Sequence, residues 1–549
     1  MTDPVVVESY RPFAAVAASG VAAILIVLSA RRPTPREGWT ILAAVVKFGL
    51  VLSMVPDALA GREHLAHFGT LVPGVEFAFR ADPLGLLFGV VASGLYVLTA
   101  VYSIGYLRGL DDHERTRFFA ALAGSLSATM GVAFATNLLV LFLFYELLTV
   151  ATYPLVAHDE THEARRAGYK YLAYALSGGV LVVFGTVLTF WLAGTVTFDT
   201  GGIEELAAVA NTDPRFARTV FGVLIVGFGV KAAIMPLHPW LPSAMVAPTP
   251  VSGLLHAVAV VKSGVFGIAR TVLEVFGPET VAAIGMGAPL AIAAATTMLL
   301  GSLLALRQDD LKRLLAYSTI AQLSYIVLGI ALLSPASIAG GLLHLPAHAF
   351  AKLTLFFGAG ALYVELRLKK VSELAGVGRR MPLTMTAFAT AAFSMAGIPL
   401  FAGFVSKWYL LVGGIEAGWA FVPFLLVASG VVNVAYFWPI VYTAFFESAE
   451  HADPKPIVDG PIGGATTTAP RPDGGIDDTQ VTRGDHATGS PGDQWERADW
   501  WGGETSWLLV GPILATALVV VAFGVAVDWL FFADATRAIV DAATGVRVP

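Results

Sequence analysis

Apolar segments of about 20 residues recur along nearly the whole chain, and this pattern constrains the fold more than any other feature. A helix of that length crosses the hydrocarbon core of a bilayer. Only 13% of the 549 residues are charged and the mean hydropathy is +0.72. Soluble domains carry about 25% charged residues. The sequence therefore predicts an all-α polytopic membrane protein embedded in the lipid bilayer.

Fourteen of these segments are predicted to span the membrane. Their predicted bounds are 13–30, 39–60, 84–107, 117–135, 137–157, 170–193, 218–236, 250–275, 281–306, 313–333, 336–364, 384–413, 419–447 and 506–532. Arginine and lysine are concentrated in the loops after spans 1, 3, 5, 9 and 11, and are almost absent after spans 4, 7, 10 and 12. By the positive-inside rule the basic loops are cytoplasmic. We therefore expect a multi-pass protein of the cell membrane with both termini outside.

Several function classes are excluded by composition. The chain has no cysteine, which rules out disulfides and cysteine-held metal or iron–sulfur sites. No basic stretch is long enough to follow a nucleic acid, and no phosphate-binding glycine loop is present. The cluster "HDETHE" (158–163) is interpreted as a solvated or subunit-facing patch, with metal binding as the alternative. We predict no cofactor and no metal.

Charged residues inside the apolar segments are the first functional signal. Five of the ten lysines lie in the interior of predicted spans, although a charge near the bilayer centre costs about 2.5–3.5 kcal/mol. Lys47 is predicted to reach the headgroup region from a span end, and we exclude it from the site. The other four of these lysines and one intramembrane glutamate have apolar neighbours on both sides; they are Glu146, Lys231, Lys262, Lys352 and Lys407.

Buried lysines with a carboxylate and histidines are suited to carrying protons. Burial lowers the pKa of a lysine and raises that of a carboxylate, while a nearby opposite charge reverses each shift. His256 lies six residues before Lys262, and His344, His348 and Lys352 are four residues apart on one helical face. Interhelical hydrogen bonding is the alternative role for such histidines. The pattern favours a hydrated proton path through the membrane.

Two spans are interrupted by residues that break helices. Spans 218–236 and 384–413 each carry one of the buried lysines next to the break; the breakers are Pro236, Pro239, Gly397 and Pro399. Free backbone carbonyls at membrane depth are tolerated only where protein or water covers them. Paired interruptions mark the ion site of inverted-repeat transporters, whereas a simple packing kink is the alternative.

Several sequence blocks resemble one known family. "MPLHPWLPSAMVAPTPVSGLLHAVAVVKSG" (235–264) and "RQDDLKRLLAYSTIAQLSYIVLG" (307–329) are similar to signature blocks of the antiporter-like subunits. Respiratory complex I and the Mrp-type multisubunit cation/proton antiporters share that family. Further matching blocks are "RADPLGLLF" (80–88), "VYSIGYLRG" (101–109) and "GIPLFAGFVSKWYLL" (397–411). The resemblance covers roughly residues 80–445 in register.

The resemblance implies an architecture and a role for each residue. It implies two inverted five-helix repeats, spans 4–8 and 9–13, with broken helices at spans 7 and 12. The implied regions are 1–116 with spans 1–3, 117–275 with the first repeat, 281–447 with the second, a disordered cytoplasmic linker 448–505, and 506–549 with the last span. Glu146 and Lys231 would form a switching pair, Lys262 a central relay and Lys407 the gate towards the outside. His344, His348 and Lys352 match a polar series in span 11.

Two departures bear on the subunit type. One complex I subunit type has glutamate at the position of Lys407, and the largest subunits of both assemblies continue well beyond span 14. The block around His256 nevertheless resembles those large subunits as much as the shorter ones. The D-type member of the Mrp antiporter subunits is the best match. The alternative is an antiporter-like member of complex I or of a membrane-bound hydrogenase.

Three functions remain open at the level of sequence. The first is exchange of a monovalent cation, Na⁺, for protons within a complex of several membrane subunits. The second is a proton-pumping module driven by redox chemistry elsewhere in its complex. The third is a proton-flux partner for an inorganic-carbon uptake complex. All three use the same buried path, and none makes this chain itself an enzyme.

Overall fold

The computed structural model describes residues 5–112, 114–448 and 504–546. The predicted linker, 448–505, lies outside this part of the chain except at its two ends. The described helices, in chain order, are α1 (Arg11–Leu28), α2 (Pro33–Leu52), α3 (Val55–Leu59), α4 (Pro83–Gly109), α5 (Arg115–Phe134), α6 (Leu138–Val156), α7 (His162–Ala193), α8 (Glu204–Thr212), α9 (Pro214–Lys231), α10 (Trp240–Ser243), α11 (Thr249–Gly253), α12 (Val260–Arg270), α13 (Pro278–Ala283), α14 (Gly287–Ala305), α15 (Leu311–Ala331), α16 (Pro335–Leu366), α17 (Val377–Arg380), α18 (Pro382–Ala396), α19 (Ala402–Glu416), α20 (Phe421–Phe446), α21 (Trp507–Val525) and α22 (Phe531–Thr544).

Twelve helical stretches in the described residues are long and apolar enough to cross a membrane. Two further spans are interrupted where the sequence predicted it. The first break separates α9, which ends at Lys231, from α10, and the second separates Ala396 of α18 from Ala402 of α19. With these two, the described chain contains the fourteen spans that were predicted, including the broken spans 7 and 12.

The order of helices repeats along the chain. α7 and α16, the third members of the two predicted repeats, are each 32 residues long. Each precedes a broken span, separated from it by one short helix. α7 begins at His162 and not at the predicted residue 170. The Thr161 hydroxyl accepts a hydrogen bond from the Ala164 backbone N–H at 3.1 Å and so caps the helix two turns earlier.

A small sheet was not predicted from the sequence. β1 (Val5–Glu8) pairs in parallel with β2 (Arg62–Val72), which pairs antiparallel with β3 (Val75–Ala81). β2 and β3 contain many β-branched and aromatic residues, which favour strands. The segment is too short and too polar to span a membrane as two helices, so a search for apolar spans passes over it. The amphipathic helix α22, which follows the last span, was missed for the same reason.

The sheet marks one end of the helix bundle, which we call the hairpin face. The Asn137 side chain, in the α5–α6 turn, donates a hydrogen bond to the Glu76 carbonyl at 2.8 Å. Asn137 also pairs with Thr197 of the α7–α8 loop through an isolated bridge. The hairpin, this turn and this loop therefore lie together.

The opposite end, which we call the basic face, gathers the arginine- and lysine-rich loops. His158 hydrogen-bonds to Asp112 at 2.9 Å, and the Leu311 N–H donates to the Lys369 carbonyl at 2.9 Å. One cavity touches both pairs of loops, which places them at the same end. The loops that were predicted to be cytoplasmic thus share one face.

Two stretches form the centre of the bundle. The most apolar parts of Thr249–Val275, which contains α12, and of Leu311–Ala331, which is α15, are completely buried. Two π-helical turns flank α12, at Leu254–Val258 and Thr271–Val275. Such turns are rare and are frequent at functional sites. The charged residues of α12 are therefore held away from lipid.

Candidate functional site

Lys231 is the last residue of α9 and lies at the start of the first break. Its side chain is fully buried. The ammonium group donates a hydrogen bond to the Tyr145 backbone carbonyl and lies 3.3 Å from the centroid of the Tyr145 ring. Both contacts stabilise a cation in an apolar environment. Lys231 is thus bound to α6 one residue from Glu146.

Glu146 lies close to Lys231, but the two do not form an ion pair. Among the described residues no salt bridge within 4.0 Å joins them, although each side chain experiences the charge of the other. One carboxylate oxygen of Glu146 is buried without a hydrogen-bond partner in the described structure. A Cβ atom added at Gly179 of α7 would overlap this carboxylate, so the glycine provides its space. The geometry is that of an open pair.

Lys262 and His348 are joined directly at the centre of the bundle. The Lys262 Nζ lies 2.8 Å from the His348 Nδ1, and both side chains are fully buried. An ammonium group can only donate, so Nδ1 accepts when Lys262 is charged. The other ring nitrogen of His348 has no hydrogen-bond partner in the described residues. This contact links α12, in the first repeat, to α16, in the second.

His344 lies one helical turn from His348 and extends the Lys262–His348 contact into what we call the lysine–histidine series. Its ring centroid lies 6.1 Å from that of His348. Its Nε2 is 2.9 Å from the Gln322 side-chain oxygen and its Nδ1 is 2.8 Å from the Ser406 hydroxyl. Because the glutamine oxygen only accepts, Nε2 carries the hydrogen and Nδ1 accepts from serine. His344 therefore connects α15, α16 and α19.

Lys407 completes the series beside the second break. Its Nζ donates to the Met395 carbonyl at 2.6 Å and lies 4.7 Å from the Tyr325 ring centroid. The Gln322 side chain donates to the same carbonyl at 3.4 Å. Gly397 has a φ of +89° and lies directly under the Lys407 side chain, so a Cβ there would be 2.9 Å from its Cδ. The break thus provides both an acceptor and space for the lysine.

Two of the predicted residues lie beside this series. The His256 ring packs 4.8 Å from the Phe356 ring, and neither of its nitrogens has a hydrogen-bond partner in the described structure. The Lys352 Nζ donates to the Leu315 carbonyl at 3.0 Å. Both side chains are fully buried. The structure places them in the same core, but without a direct hydrogen bond to the Lys262–His348 pair.

The prediction for Lys47 was wrong. Its side chain is fully buried, and its Nζ lies 4.1 Å from the Tyr96 ring centroid with no hydrogen-bond partner among the described atoms. Packing of α2 against α4 encloses it, so it does not extend to a headgroup region. It remains outside the series because none of its described contacts reaches Lys231, Lys262 or Lys407.

The first break is held together by side chains that satisfy free backbone groups. The Trp240 indole donates to the Val230 carbonyl at 2.9 Å, and the Met235 N–H donates to the Thr297 hydroxyl at 3.0 Å. These contacts hold the segment that contains Pro236 and Pro239. The broken backbone is covered by protein, as a membrane environment requires.

A polar cavity of about 1090 Å³ opens at the basic face. Its lining includes Thr249, the first residue of α11, seven positions before His256. The Lys170 ammonium donates to the Ser243 hydroxyl at 2.8 Å, and the Lys312 ammonium donates to the Ala247 carbonyl at 2.5 Å. Water can therefore enter between the first break and the start of α15.

The "HDETHE" cluster is partly built into the basic face. His158 is buried and bonded to Asp112, as described above. Glu160 accepts a hydrogen bond from Arg117, which lowers the pKa of Glu160. Glu160 is exposed, as the predicted solvated patch requires. His158 is buried and packs between loops instead.

Several residues of the site were not singled out from the sequence. Ser318, Gln322 and Tyr325 lie on one face of α15 at spacings of four and three, in "STIAQLSY". That spacing of polar residues in an apolar span was a signal that pointed to the site. The carbonyls of Tyr145 and Met395 carried no such signal, because backbone acceptors have no sequence signature. Ser406 contributes its side-chain hydroxyl and was also not singled out.

A helical bundle with two broken spans and a buried lysine–histidine series has the architecture of ion-translocating membrane proteins. Comparison with known proteins agrees with this class. The family model described as "NADH:quinone oxidoreductase/Mrp antiporter, TM" matches residues 135–432. A second model, "NADH-Ubiquinone oxidoreductase (complex I), chain 5 N-terminus", matches residues 72–119.

Individual proteins give the same result. The chain is 34% identical over 384 residues to NADH-quinone oxidoreductase subunit N of Desulforudis audaxviator, covering 68% of this chain and 73% of that protein. It is 32% identical to the probable K(+)/H(+) antiporter A/B subunit of Rhizobium meliloti, over 68% of this chain but 37% of that longer protein. A chain of the Mrp complex structure from Dietzia sp. DQ12-45-1b superposes with a TM-score of 0.77 at 22% identity, over 98% of both chains. The chain belongs to the NADH:quinone oxidoreductase/Mrp antiporter membrane subunit family.

Proposed function

We propose that the chain is the proton-translocating subunit of a multisubunit monovalent cation/proton antiporter, with Na⁺ as the exchanged cation. The observation that carries the proposal is the series from Lys262 through His348 and His344, which are fully buried, to Lys407, which is half-buried. Lys262 contacts His348 directly, and the rings of His348 and His344 lie 6.1 Å apart. Gln322 contacts His344 and shares the Met395 carbonyl with Lys407. Such a series has no evident structural purpose, because burying unpaired lysines destabilises a membrane protein.

Proton movement along the series follows from the donors and acceptors present. A proton on Lys262 passes to the His348 Nδ1 along a 2.8 Å hydrogen bond. The opposite ring nitrogen then releases a proton towards His344, whose ring centroid lies 6.1 Å from that of His348, a separation that a bridging water would span. His344 holds that proton between the Ser406 hydroxyl and the Gln322 side-chain oxygen, and Lys407 is the next basic group, beside the second break. After one proton has passed, Lys262 is neutral and His348 carries its hydrogen on Nδ1, so Lys262 must be reprotonated and the histidine must change tautomer before the next proton moves.

Glu146 controls the entry of protons into this series. When Glu146 approaches Lys231 it favours the charged lysine, and when the two separate the lysine releases its proton more readily. The open pair represents the separated arrangement. Protons reach this region from the cavity at the basic face, which the positive-inside rule places in the cytoplasm. Other membrane subunits of the complex contribute the cation path.

Exchange by the reconstituted complex tests the proposal. Proteoliposomes with the complete complex receive a sodium gradient, and proton movement is followed with a pH-sensitive dye. Lys231→Ala and Glu146→Gln are each expected to slow the sodium-dependent proton flux at least about tenfold, since each removes a proton-binding group. Glu76→Gln is the matched control, because Glu76 is an exposed hairpin carboxylate. Wild-type flux in both pathway variants would refute the path.

A redox-driven proton pump is the second candidate. It is favoured by the similarity to the NADH-quinone oxidoreductase relative, of which this chain covers 73%, against 37% of the K(+)/H(+) antiporter relative. The two candidates differ in their energy source. Proton movement that requires a quinone or another electron carrier, and that ignores a sodium gradient, would favour the pump. Movement driven by sodium alone favours the antiporter.

A further inference from the structure

Five charged side chains meet beneath the hairpin, away from the lysine–histidine series. Glu63 comes from β2, Arg80 from β3, and Asp82 caps the N-terminus of α4. Arg270 is the last residue of α12, and Glu274 lies in the π-helical turn that follows it. The cluster therefore joins the sheet to the helix that carries Lys262.

Arg270 and Asp82 form the centre of this cluster. The two Nη atoms of Arg270 lie 2.6 and 2.9 Å from the two carboxylate oxygens of Asp82. Arg270 also donates to Glu274. Arg80 lies 3.5 Å from Asp82 and donates to the Phe198 carbonyl at 3.2 Å. Asp82 additionally accepts from the Gly85 N–H at 2.6 Å, so its oxygens are fully used.

The charges in the cluster do not balance. It contains three carboxylates and two guanidinium groups, which leaves one excess negative charge when all are ionised. Arg270 is completely buried, Asp82 is 3% exposed and Glu63 is 8% exposed. An uncompensated charge at such a depth is costly, so a bound proton or cation must neutralise it.

Glu63 is the member that is not fully bonded. Its Oε2 has no hydrogen-bond partner in the described structure, and the closest guanidinium atom, the Arg80 Nε, is 3.7 Å away. That Nε also lacks a hydrogen bond among the described atoms. Burial, together with the charge of Asp82, raises the pKa of Glu63 to about 7. Although burial opposes ionisation of Asp82, the Arg270 and Arg80 guanidinium groups hold its pKa below the ordinary value.

The other charged groups on the sheet belong to a separate network. Asp57 of α3 binds Arg62 at 3.0 Å and His64 at 3.0 Å, and Arg11 of α1 lies 3.8 Å from it. Side chains of neighbouring residues in a strand point to opposite sides, so Arg62 and His64 face away from Glu63. The remaining charged residues of the sheet are Glu8 of β1 and the pair His67 and Glu76. The charged groups that face Glu63 are those of the cluster itself.

We propose that this cluster is a proton-binding site on the hairpin face, and that Glu63 takes up and releases the proton. When Glu63 is ionised, Arg80 is shared between Glu63 and Asp82. When Glu63 is protonated, Arg80 is free to bind Asp82 more closely and competes there with Arg270. The pH on the hairpin side of the membrane therefore changes the contacts of Arg270, the last residue of α12.

The position of α12 gives this site a consequence for transport, which rests on the proposed function. Arg270 follows Lys262 by eight positions, or about 12 Å along the helix. π-helical turns lie at both ends of α12, and we expect the helix between them to shift as a unit. A change in the ion pair between Arg270 and Asp82 then alters the contact between Lys262 and His348.

Infrared difference spectroscopy of the intact complex tests the site without measuring transport. The carboxyl C=O band is followed while the pH is stepped from about 5 to about 9 in sodium-free buffer. The wild type is expected to show, beside the contribution of Glu146, one carboxyl group of the hairpin cluster that titrates in this range. Glu63→Gln removes that titration, whereas Glu76→Gln, which changes an exposed carboxylate on the same hairpin, retains it.

A second variant keeps Glu63 and moves its titration. Arg80→Gln removes the nearest cation and is expected to shift the midpoint upward by about one pH unit or more, a tenfold gain in proton affinity. It tests the site even if Glu63→Gln does not assemble. A titration that survives Glu63→Gln, or that does not move in Arg80→Gln, would overturn the proposal. Loss of the band on adding sodium at constant pH would assign the site to a metal cation instead. The infrared titration of Glu63 does not depend on transport, so it gives the same result even if the proposed proton path is wrong.

Discussion

Individual lysines in this protein differ in what surrounds them rather than in how deeply they lie. Lys47 and Lys262 are both completely buried. Lys47 contacts an aromatic ring and no hydrogen-bond acceptor in the described structure, whereas Lys262 faces a histidine nitrogen. A lysine can pass a proton only where an acceptor lies within hydrogen-bond reach. Burial alone is therefore a poor guide to function at this scale.

His344 is the residue on which the second half of the proposed path depends. His344→Gln preserves hydrogen bonding to Ser406 and Gln322 but cannot bind a proton near neutral pH. We expect sodium-dependent proton flux in proteoliposomes to fall roughly 10- to 100-fold. His67→Gln, at an exposed position of the hairpin, is the control and is expected to transport normally. Undiminished flux in His344→Gln would show that protons bypass this histidine.

The sequence predicted the ionisable members of the site better than their partners. Glu146 and the lysines stand out because charge is rare in an apolar span. Gln322 was overlooked although it shares a helical face with Ser318 and Tyr325. The carbonyl acceptor of Lys407 could not be predicted, because it depends on how α18 ends and where α19 begins. The enclosure of Lys47 depends on the packing of two helices, which its position in the sequence does not reveal.

At the scale of elements, the contact between α12 and α9 positions the two lysines of the first repeat. Gly264 of α12 packs on the end of α9, where an added Cβ would lie 2.9 Å from the Phe228 carbonyl and closer still to the backbone of Lys231. Gly264→Ala must force the helices apart. We expect it to lower the thermal unfolding midpoint of the complex, through a loss of about 1–3 kcal/mol, and to reduce proton flux.

Gly222 provides the matched control within α9. A Cβ added there would meet no atom within 4 Å, and alanine favours the helix by about 1 kcal/mol over glycine. Gly222→Ala is expected to retain flux and to be as stable as the wild type or more so. Equal behaviour of the two alanine variants in thermal unfolding would contradict the close contact between α9 and α12.

The hairpin element predicts a pH-dependent stability. The pKa of Glu63 is raised from 4.5 to about 7 in the folded chain, so folding favours its protonated form. The contribution of protonated Glu63 to the free energy of unfolding is fully present below pH 4.5 and is lost as the pH rises through 7. We therefore expect the thermal midpoint of Glu63→Gln to exceed that of the wild type by a few degrees at about pH 8, and the difference to shrink towards about pH 5.

The same measurement on Glu76→Gln provides the comparison. Glu76 is exposed, so its replacement is expected to leave the pH dependence of the wild type in place. A constant difference between Glu63→Gln and the wild type at every pH would contradict the proton-binding role. It would indicate a simple packing effect.

The elements themselves were predictable to different degrees. Pro236, Pro239, Gly397 and Pro399 marked both breaks, because proline and glycine disrupt helices wherever they occur. The sheet was missed because strand signals are short and depend on pairing partners far along the chain, as β1 and β2 show. The π-helical turns around α12 leave no mark in the sequence that propensity rules detect.

At the scale of the whole molecule, the proposed path lies where the two predicted repeats meet. Lys262 belongs to α12 and His348 to α16, so the central contact exists only when both repeats are assembled. The cavity at the basic face likewise combines segments that are distant in sequence. The number of spans and the positions of the broken helices could be predicted from local sequence patterns. The Lys262–His348 contact and the cavity could not, because both depend on the complete fold.

The central claim is that protons cross the membrane through the Lys262–His348 junction. It is tested most directly by comparing Lys262→Ala with Lys47→Ala in proteoliposomes that contain the complete complex. Both variants remove a fully buried lysine, so they carry similar structural costs. We predict that Lys262→Ala abolishes sodium-dependent proton flux and that Lys47→Ala transports within about twofold of the wild type. Equal flux in the two variants, whether both are active or both inactive, would contradict the claim.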